Sequence, residues 1–414
     1  MFPAQTVESG RAGDGMQYEE AKRVASGADV EARRALAARD DVAPEILFFL
    51  CRDTDAGVRL RVAANHHAPR EADLELARDA EDAVRARVGQ KLGEVRPVEL
   101  PTLSAKKQAL TIETIEALAI DNSGRVREAI ARALKQSIDA PPHVVQALAR
   151  DIEIKVAAPI LQNSPMLGDS DLLDIMSSGP IKGVLNAIAK RRNVGQGVTE
   201  LLVNRAIATP GEESAVADLL ANETARIGSG TMDKIIDIAP KHGDWHGPLA
   251  ARKDLTADKM RRVASIPSDA IAQTMSARSD LDDAAMAALS HMVAKRMAEL
   301  TKKREEEAPT VKPAAEQFLV SVMRGGKVGP VGAAISLRAG IPTEVTMRIL
   351  TSKNPKALTA LAWKAGLSAA QAKFLQTHVG GISQQSALGP TMSGGYPIAH
   401  ADMEWQLGLY LGNG

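Results

Sequence analysis

Five fragments of this 414-residue chain read as copies of one phrase: "AARDDVAPEI" at 37–46, "AANHHAPREA" at 63–72, "AKRRNVGQGV" at 189–198, "AARKDLTADK" at 250–259 and "ARSDLDDAAM" at 277–286. Each has Ala, then a basic residue (once Asn), then polar residues, then a small or apolar residue and a helix-like run. A phrase used five times is either a signature of chemistry or the turn of a repeating structure. Its spacing favours the turn. Ala32-Arg33, Val58-Arg59 and Val84-Arg85 follow one another at intervals of 26, as do Arg52-Asp53 and Arg78-Asp79. "LAIDNSGRVREAI" and "LARDIEIKVAAPI" align at a spacing of 30. A period drifting between 26 and 30 suits a helix-turn-helix unit stacked into a solenoid, because one such unit cannot bury its apolar faces alone.

Composition agrees. Aromatic residues make up only 3 % of the chain, and Ala and Leu are abundant. Ala is the best helix former, whereas strands favour aromatic and branched side chains. "VRLRVAA" places Val58 and Val62 on one helical stripe, and no sustained strand alternation occurs. The fold expected is therefore all-α. Helix ends are marked as well. Pro44, Pro69 and Pro142 stand where second helices should begin. Asp53, Asp79, Asp121 and Asp151 stand between one apolar run and the next, as N-caps or turn acceptors. "SAAQ" at 368–371 reads as a capping box.

The polar, Gly-containing residues 1–16 read as a disordered tail, and 17–300 as the solenoid. An amphipathic helix is expected from Asp282 to about Glu307, with Met286, Leu289, Val293 and Leu300 along one face and Met292 and Met297 beside it. The charge block and prolines at 301–313 mark a hinge, followed by a second helical module at 314–379. Residues 380–397 have the composition of a flexible linker, and 398–414 turn apolar and aromatic again.

Three successive segments carry a family resemblance: "VAAPILQNSPMLGDSDLLDIM" (156–176), "AIAKRRNVGQGVTELLV" (187–203) and "VADLLANETARIG" (216–228). Together with "FLVSVMRGGKVGPVGAAISLRAGIP" and "ALTALAWKAGLS" they resemble DUF2336, a family of bacterial, largely alphaproteobacterial, proteins, over roughly 100–380. The first units resemble HEAT-like and leucine-rich-repeat-variant repeats. The resemblance implies an α-helical repeat fold. It implies no activity, since the family brings no catalytic or ligand residues to carry over.

Charges are balanced, 51 basic against 51 acidic residues, with a basic excess of 20 to 14 over 250–414. A neutral chain is a poor dedicated nucleic-acid binder, which leaves weak binding through the basic last third as one alternative. No apolar run is long enough to span a bilayer and no secretory signal opens the chain, so a cytoplasmic location is expected. The one cysteine, Cys51 in "ILFFLC", reads as a buried thiol and fits that compartment.

Arg59, Arg85 and Arg127 recur six residues after Asp53, Asp79 and Asp121. They are a ladder holding successive turns in register, or a basic strip for phosphates or acidic peptides; the matched Asp count favours the former. His242 and His246, four apart in "HGDWH", are the weak metal candidates, but Gly243 and Gly247-Pro248 weaken the helix and no third ligand lies at a recognised spacing. "MRGGKVGPVGAA" lacks the Ser/Thr after its Lys that a P-loop needs and reads as a helix-helix turn. No nucleophile, acid-base pair or cofactor pattern converges, so no cofactor is expected. An enzyme or enzyme-regulating subunit with an unrecognised site is the other alternative.

The function expected is a non-enzymatic scaffold or adaptor that binds a protein partner through a solenoid groove or the C-terminal segment. Met286, Met292 and Met297 would give it an adaptable apolar edge. In "DMEWQLGLYLG", Met403, Gln406, Leu407 and Tyr410 share one helical face, and Trp405 and Leu409 another. That segment docks on its own array as a cap, docks on a partner or a second copy, or stays a disordered end.

Overall fold

A computed structural model describes residues 18–94, 103–179, 181–306 and 312–412. The tail expected at 1–16, and 307–311 of the expected hinge, lie outside the described residues. Among the described residues regular structure is entirely helical, in 25 α-helices and one short 3₁₀ turn, with no strand. None of these helices is long and apolar enough to cross a membrane.

The helices form two compact units, one ending at Arg226 and one beginning at Ile227. This differs from the break expected at 301–313. The long helix Asp283–Glu306 packs along Val328–Ala339, with Gly329 in contact with Ser290 and Met286. The charge block therefore interrupts the chain without dividing the unit.

In the first unit most helices pack on the helix two further along. Val30–Ala37, Ala56–Ala64, Asp82–Glu94, Gly124–Leu134, Ile154–Asn163, Val184–Ala189 and Ser214–Ala221 form one row. Tyr18–Ala25, Pro44–Leu50, Arg70–Leu76, Ala105–Ala119 and Pro142–Ala149 form a second. Pairs spaced i, i+4 build the seam of the first row: Val58 and Val62, Val84 and Val88, Val126 and Ile130, Val156 and Ile160, all buried. Asp82–Glu94 and Gly124–Leu134 approach so closely that a Cβ on Gly93 would lie 2.8 Å from the Ala133 Cα. Any side chain there would force these two helices apart.

The same two-along packing runs through Ser229–Ile238, Ala257–Ala264, Asp283–Glu306, Val328–Ala339, Pro355–Lys364 and His400–Leu411 in the second unit. Pro44 and Pro142 open their helices, and Pro69 directly precedes Arg70–Leu76. The capping box forms: Ser368 Oγ accepts from Gln371 N, and Gln371 Oε1 accepts from Ser368 N at 2.7 Å.

Residues 380–397 contain no helix, as a linker composition predicts, yet they are tied to the unit. The buried Gln376 amide donates to Leu388 O and accepts from Leu388 N, and Tyr396 Oη donates to Leu367 O. Burial pushes the Tyr396 hydroxyl up to about 12. Composition registers the missing helical pattern but not three such anchors.

Candidate interaction surfaces

The Asp/Arg series forms one continuous ladder. Arg33 meets Asp53, Arg59 meets Asp79, Arg85 meets Asp121 and Arg127 meets Asp151, with nitrogen-oxygen distances of 2.5–2.6 Å. A second guanidinium nitrogen bonds the other carboxylate oxygen in each case. The third reaches backwards: Arg59, Arg85 and Arg127 donate to the carbonyls of Asp53, Asp79 and Asp121, six residues earlier. Each Asp also accepts from the amide two residues on, at 2.8–2.9 Å. These aspartates are thus turn acceptors. The N-cap of Ala56–Ala64 is Asp55, which accepts from Val58 N.

The hydrogen bonds they donate to Asp79, Asp121 and Asp151 hold the Arg59, Arg85 and Arg127 guanidiniums above their ordinary value. Burial pushes the Asp53 carboxyl up, but the Arg33 hydrogen bond and charge and the Asp55 amide outweigh it and leave it below the usual range. Every cation of the ladder is therefore spent on bonds inside the chain. Arg33 and Asp151 are its end members, and it stops where Ala157 takes the next Arg position.

The recurring phrase, together with Asn222 outside it, builds a second set of links. Asn65 Nδ2 donates to the carbonyls of Ala37 and Arg39, and Asn222 Nδ2 to those of Ala189 and Arg191. Arg278 Nη1 does the same to Ala250 and Arg252, and Arg191 reaches the carbonyls of Leu161, Ser164 and Leu167. Each of these residues hooks a preceding turn through carbonyls that a helix end leaves free. Where the phrase reads Arg-x-Asp, the pair also closes on itself: Arg39 with Asp41, Arg252 with Asp254 and Arg278 with Asp280, each at 2.6 Å. Asn65 serves in place of Arg because a side-chain amide can donate to the same two carbonyls.

The histidines take structural positions. His246 is buried, with Nδ1 2.8 Å from Ser268 Oγ and Nε2 2.7 Å from Ala239 O, so both ring nitrogens are engaged. His242 stacks on Trp245 with ring centroids 4.2 Å apart. It precedes the helix Gly243–Ala251, which forms despite its internal Pro248 and breaks the expected i, i+4 pairing of the two rings. Gly325 of "RGGK" abuts the backbone of Ser276, where a Cβ would lie 2.7 Å from the carbonyl carbon. That turn is a close helix contact.

The methionines of the long helix also need correction. Met292 and Met297 are buried in the second unit's core, and Met286 is half-buried against Gly329. Neighbouring helices, among them Ala257–Ala264 and Val328–Ala339, cover the edge that the sequence left open. The C-terminal helix His400–Leu411 divides as its periodicity predicts. Met403, Gln406 and Leu407 are buried against Thr343–Thr351 and Pro355–Lys364. Trp405 and Leu409 stay 61 % and 51 % exposed, and Tyr410 is half-buried.

A groove of aromatic rings set among charged side chains, Arg33, Glu45, Arg52 and Asp53 included, lies on Pro44–Leu50 and was missed by the sequence reading. A cleft of about 610 Å³ runs past Ala25, Phe48, Phe49 and Arg52, and a second of about 260 Å³ is lined by Pro44, Phe48 and Pro69 with Glu45 and Glu71 at its rim. The two share Phe48 and Glu45. Phe49 is 59 % exposed, and the Arg52 guanidinium stands 5.2 Å from the Phe48 ring centroid. The signal was present in "ILFFLC": five successive apolar residues and a thiol on a 3.6-residue period cannot all face inward.

A family profile described as an uncharacterised protein conserved in bacteria, DUF2336, matches residues 156–391. The chain belongs to the DUF2336 family. No curated protein matches it. The DUF2336 match is shorter at the front than the span of 100–380 expected, and it takes in most of the irregular segment before Tyr396. It begins three residues after Glu153, which shares Arg127 with Asp151 at the ladder's end. The Arg/Asp ladder and the Phe48 groove thus precede the DUF2336 segment, whereas hooks of the Asn222 and Arg278 kind lie within it.

Proposed function

We propose that this chain is a non-enzymatic protein-interaction scaffold built as a HEAT-like α-solenoid and working in the cytoplasm. The two-along helix packing supports the solenoid, since it extends a two-row stack by one helix pair at a time. The buried free thiol of Cys51 suits a reducing compartment. The observation that carries the interaction role is the groove at Phe48 and Phe49. Phe48 borders two neighbouring clefts on the row Pro44–Leu50 and Arg70–Leu76, one shared with Phe49 and the other with Pro44 and Pro69, and Phe49 packs under little of the chain. Exposed aromatic anchors set in a cleft are where binding energy concentrates in protein interfaces.

The test is crosslinked capture from the native cell with the full chain and with Phe49→Glu. Phe49 is exposed, so circular dichroism and melting should be unchanged. A partner recovered with the native chain and lost with the variant is the expected result. Identical recoveries would remove the groove from the interaction and this reading with it.

A further inference from the structure

The repeat supplies its own comparison for the cleft at Phe49. Along the second row, exposed side chains lace each helix to the next. Arg52 meets Glu75 at 3.2 Å, Arg78 meets Glu113 at 2.6 Å and Lys106 meets Glu71 at 2.7 Å. His143 stands 3.0 Å from Glu116. The first seam, between Tyr18–Ala25 and Pro44–Leu50, has no such pair among the described residues. Ser26 takes the place held by Arg52 and Arg78 in the next two units, at intervals of 26. Its hydroxyl turns back to donate to Lys22 O at 2.9 Å. Phe49 takes the place of Glu75, four residues before the ladder aspartate. The seam left unlaced is the one that opens as the cleft of about 610 Å³, with Ser26, Glu45 and Phe49 in its lining.

Glu45 is the acid left without its cation. Glu45, Glu71 and Glu113 each stand eight residues before a ladder aspartate. Lys106 bridges to Glu71 and Arg78 to Glu113, whereas the exposed Glu45 makes no ion pair among the described residues. A helix start favours an acid, which accounts for Glu45 and Glu71 but not for Glu113 in the middle of Ala105–Ala119. The cations already in the cleft are engaged, Arg33 by Asp53 and Arg52 by Glu75. We infer that the cleft takes a protein segment that presents a Lys or Arg to Glu45 and an apolar side chain to Phe49, the partner supplying the cation that Ser26 lacks. This rests on the groove reading above and adds the partner's chemistry to it. Glu45 and Phe49 are one turn apart on the same helix, so the two groups of the partner stand about 6 Å apart.

A peptide library displayed on phage, selected on the full chain and counter-selected on Phe49→Glu, tests it. The surviving peptides should carry a Lys or Arg close to an apolar residue. They should bind Glu45→Gln about tenfold more weakly, the loss of one hydrogen bond to a charged group. Glu45→Lys should turn the selection towards acidic peptides. Ser26→Arg should complete the seam from inside, its guanidinium on Glu45, and block the same peptides without lowering the melting temperature. Ser26→Ala, which brings no cation, should leave them bound. Circular dichroism confirms that each variant stays folded. Binders lost with Phe49→Glu but indifferent to Glu45→Gln and Ser26→Arg overturn this inference and leave the groove reading standing. A library that yields no binder, because the chain itself or a second copy fills the cleft, overturns it as well, and the capture with Phe49→Glu then judges the groove alone.

Discussion

At Cys51 the surroundings decide the chemistry. Its Sγ donates to Phe48 O at 3.0 Å, and burial pushes the thiol up to about 11. Thiol reagents at pH 8 should therefore label the native chain very slowly and the unfolded chain at once, which mass spectrometry can follow. Lys91 and Asp73 are buried together, with Lys91 also donating to Asn65 O and Asp73 accepting from Arg70. Desolvation lowers the Lys91 pKa despite that carboxylate. Removing one partner should cost about 3–5 kcal/mol, because the other is left buried and charged. Lys91→Met combined with Asp73→Leu should therefore cost less than Lys91→Met alone in urea unfolding. At Asp55, the Arg34 hydrogen bond leads in holding the carboxyl down to about 2. A depressed carboxylate contributes stability that is complete above the unfolded value of about 4 and lost as pH falls through about 2. In Arg34→Gln that loss should move to higher pH, seen as acid unfolding that begins earlier.

Among the elements, the ladder's rungs are coupled because they share residues. Asp79 accepts from Arg59 through its carboxylate and from Arg85 through its carbonyl. Asp79→Ala should cost about 2 kcal/mol, the range for hydrogen bonds to charged groups. Combined with Asp121→Ala on the next rung it should be non-additive, whereas Asp53→Ala and Asp151→Ala, which share no partner, should add. The ladder was legible in the sequence because its spacing is local: Asp and Arg six apart fall at a turn and the first turn of the next helix. Which Asp each guanidinium would grip was not, since that depends on how successive helices stack. The same limit explains the methionines. Helical periodicity shows that Met292 and Met297 flank an apolar face, but only the packed structure shows that the flank is covered. An apolar run such as "ILFFLC" does not by itself show that Phe48 and Phe49 line a surface cleft, since which of its residues face outward depends on the packed neighbours.

For the whole molecule, two compact units with separate cores predict that thermal unfolding is not a single two-state transition. Asp79→Ala should lower the transition of the unit that ends at Arg226 and leave the other unchanged in calorimetry. Class of fold, period and most helix ends could be read from the chain because they are set by neighbours in sequence. The division at Arg226 could not, since no shift of composition accompanies it, while the conspicuous charge block at 301–313 marks no boundary of this kind.

The ladder also says where this chain can change length. From each carbonyl to the Arg that grips it the distance is always six residues, at 27–33, 53–59, 79–85 and 121–127. From each Arg to the next Asp it is 20, 20, 36 and 24 residues. Insertions therefore belong between an Arg and the following Asp, where a loop absorbs them, and not inside the six-residue interval, where one added residue would swing the guanidinium about 100° around its helix and away from both acceptors. A library of single-residue insertions through 53–134, sorted for folded protein, should come out banded with that spacing.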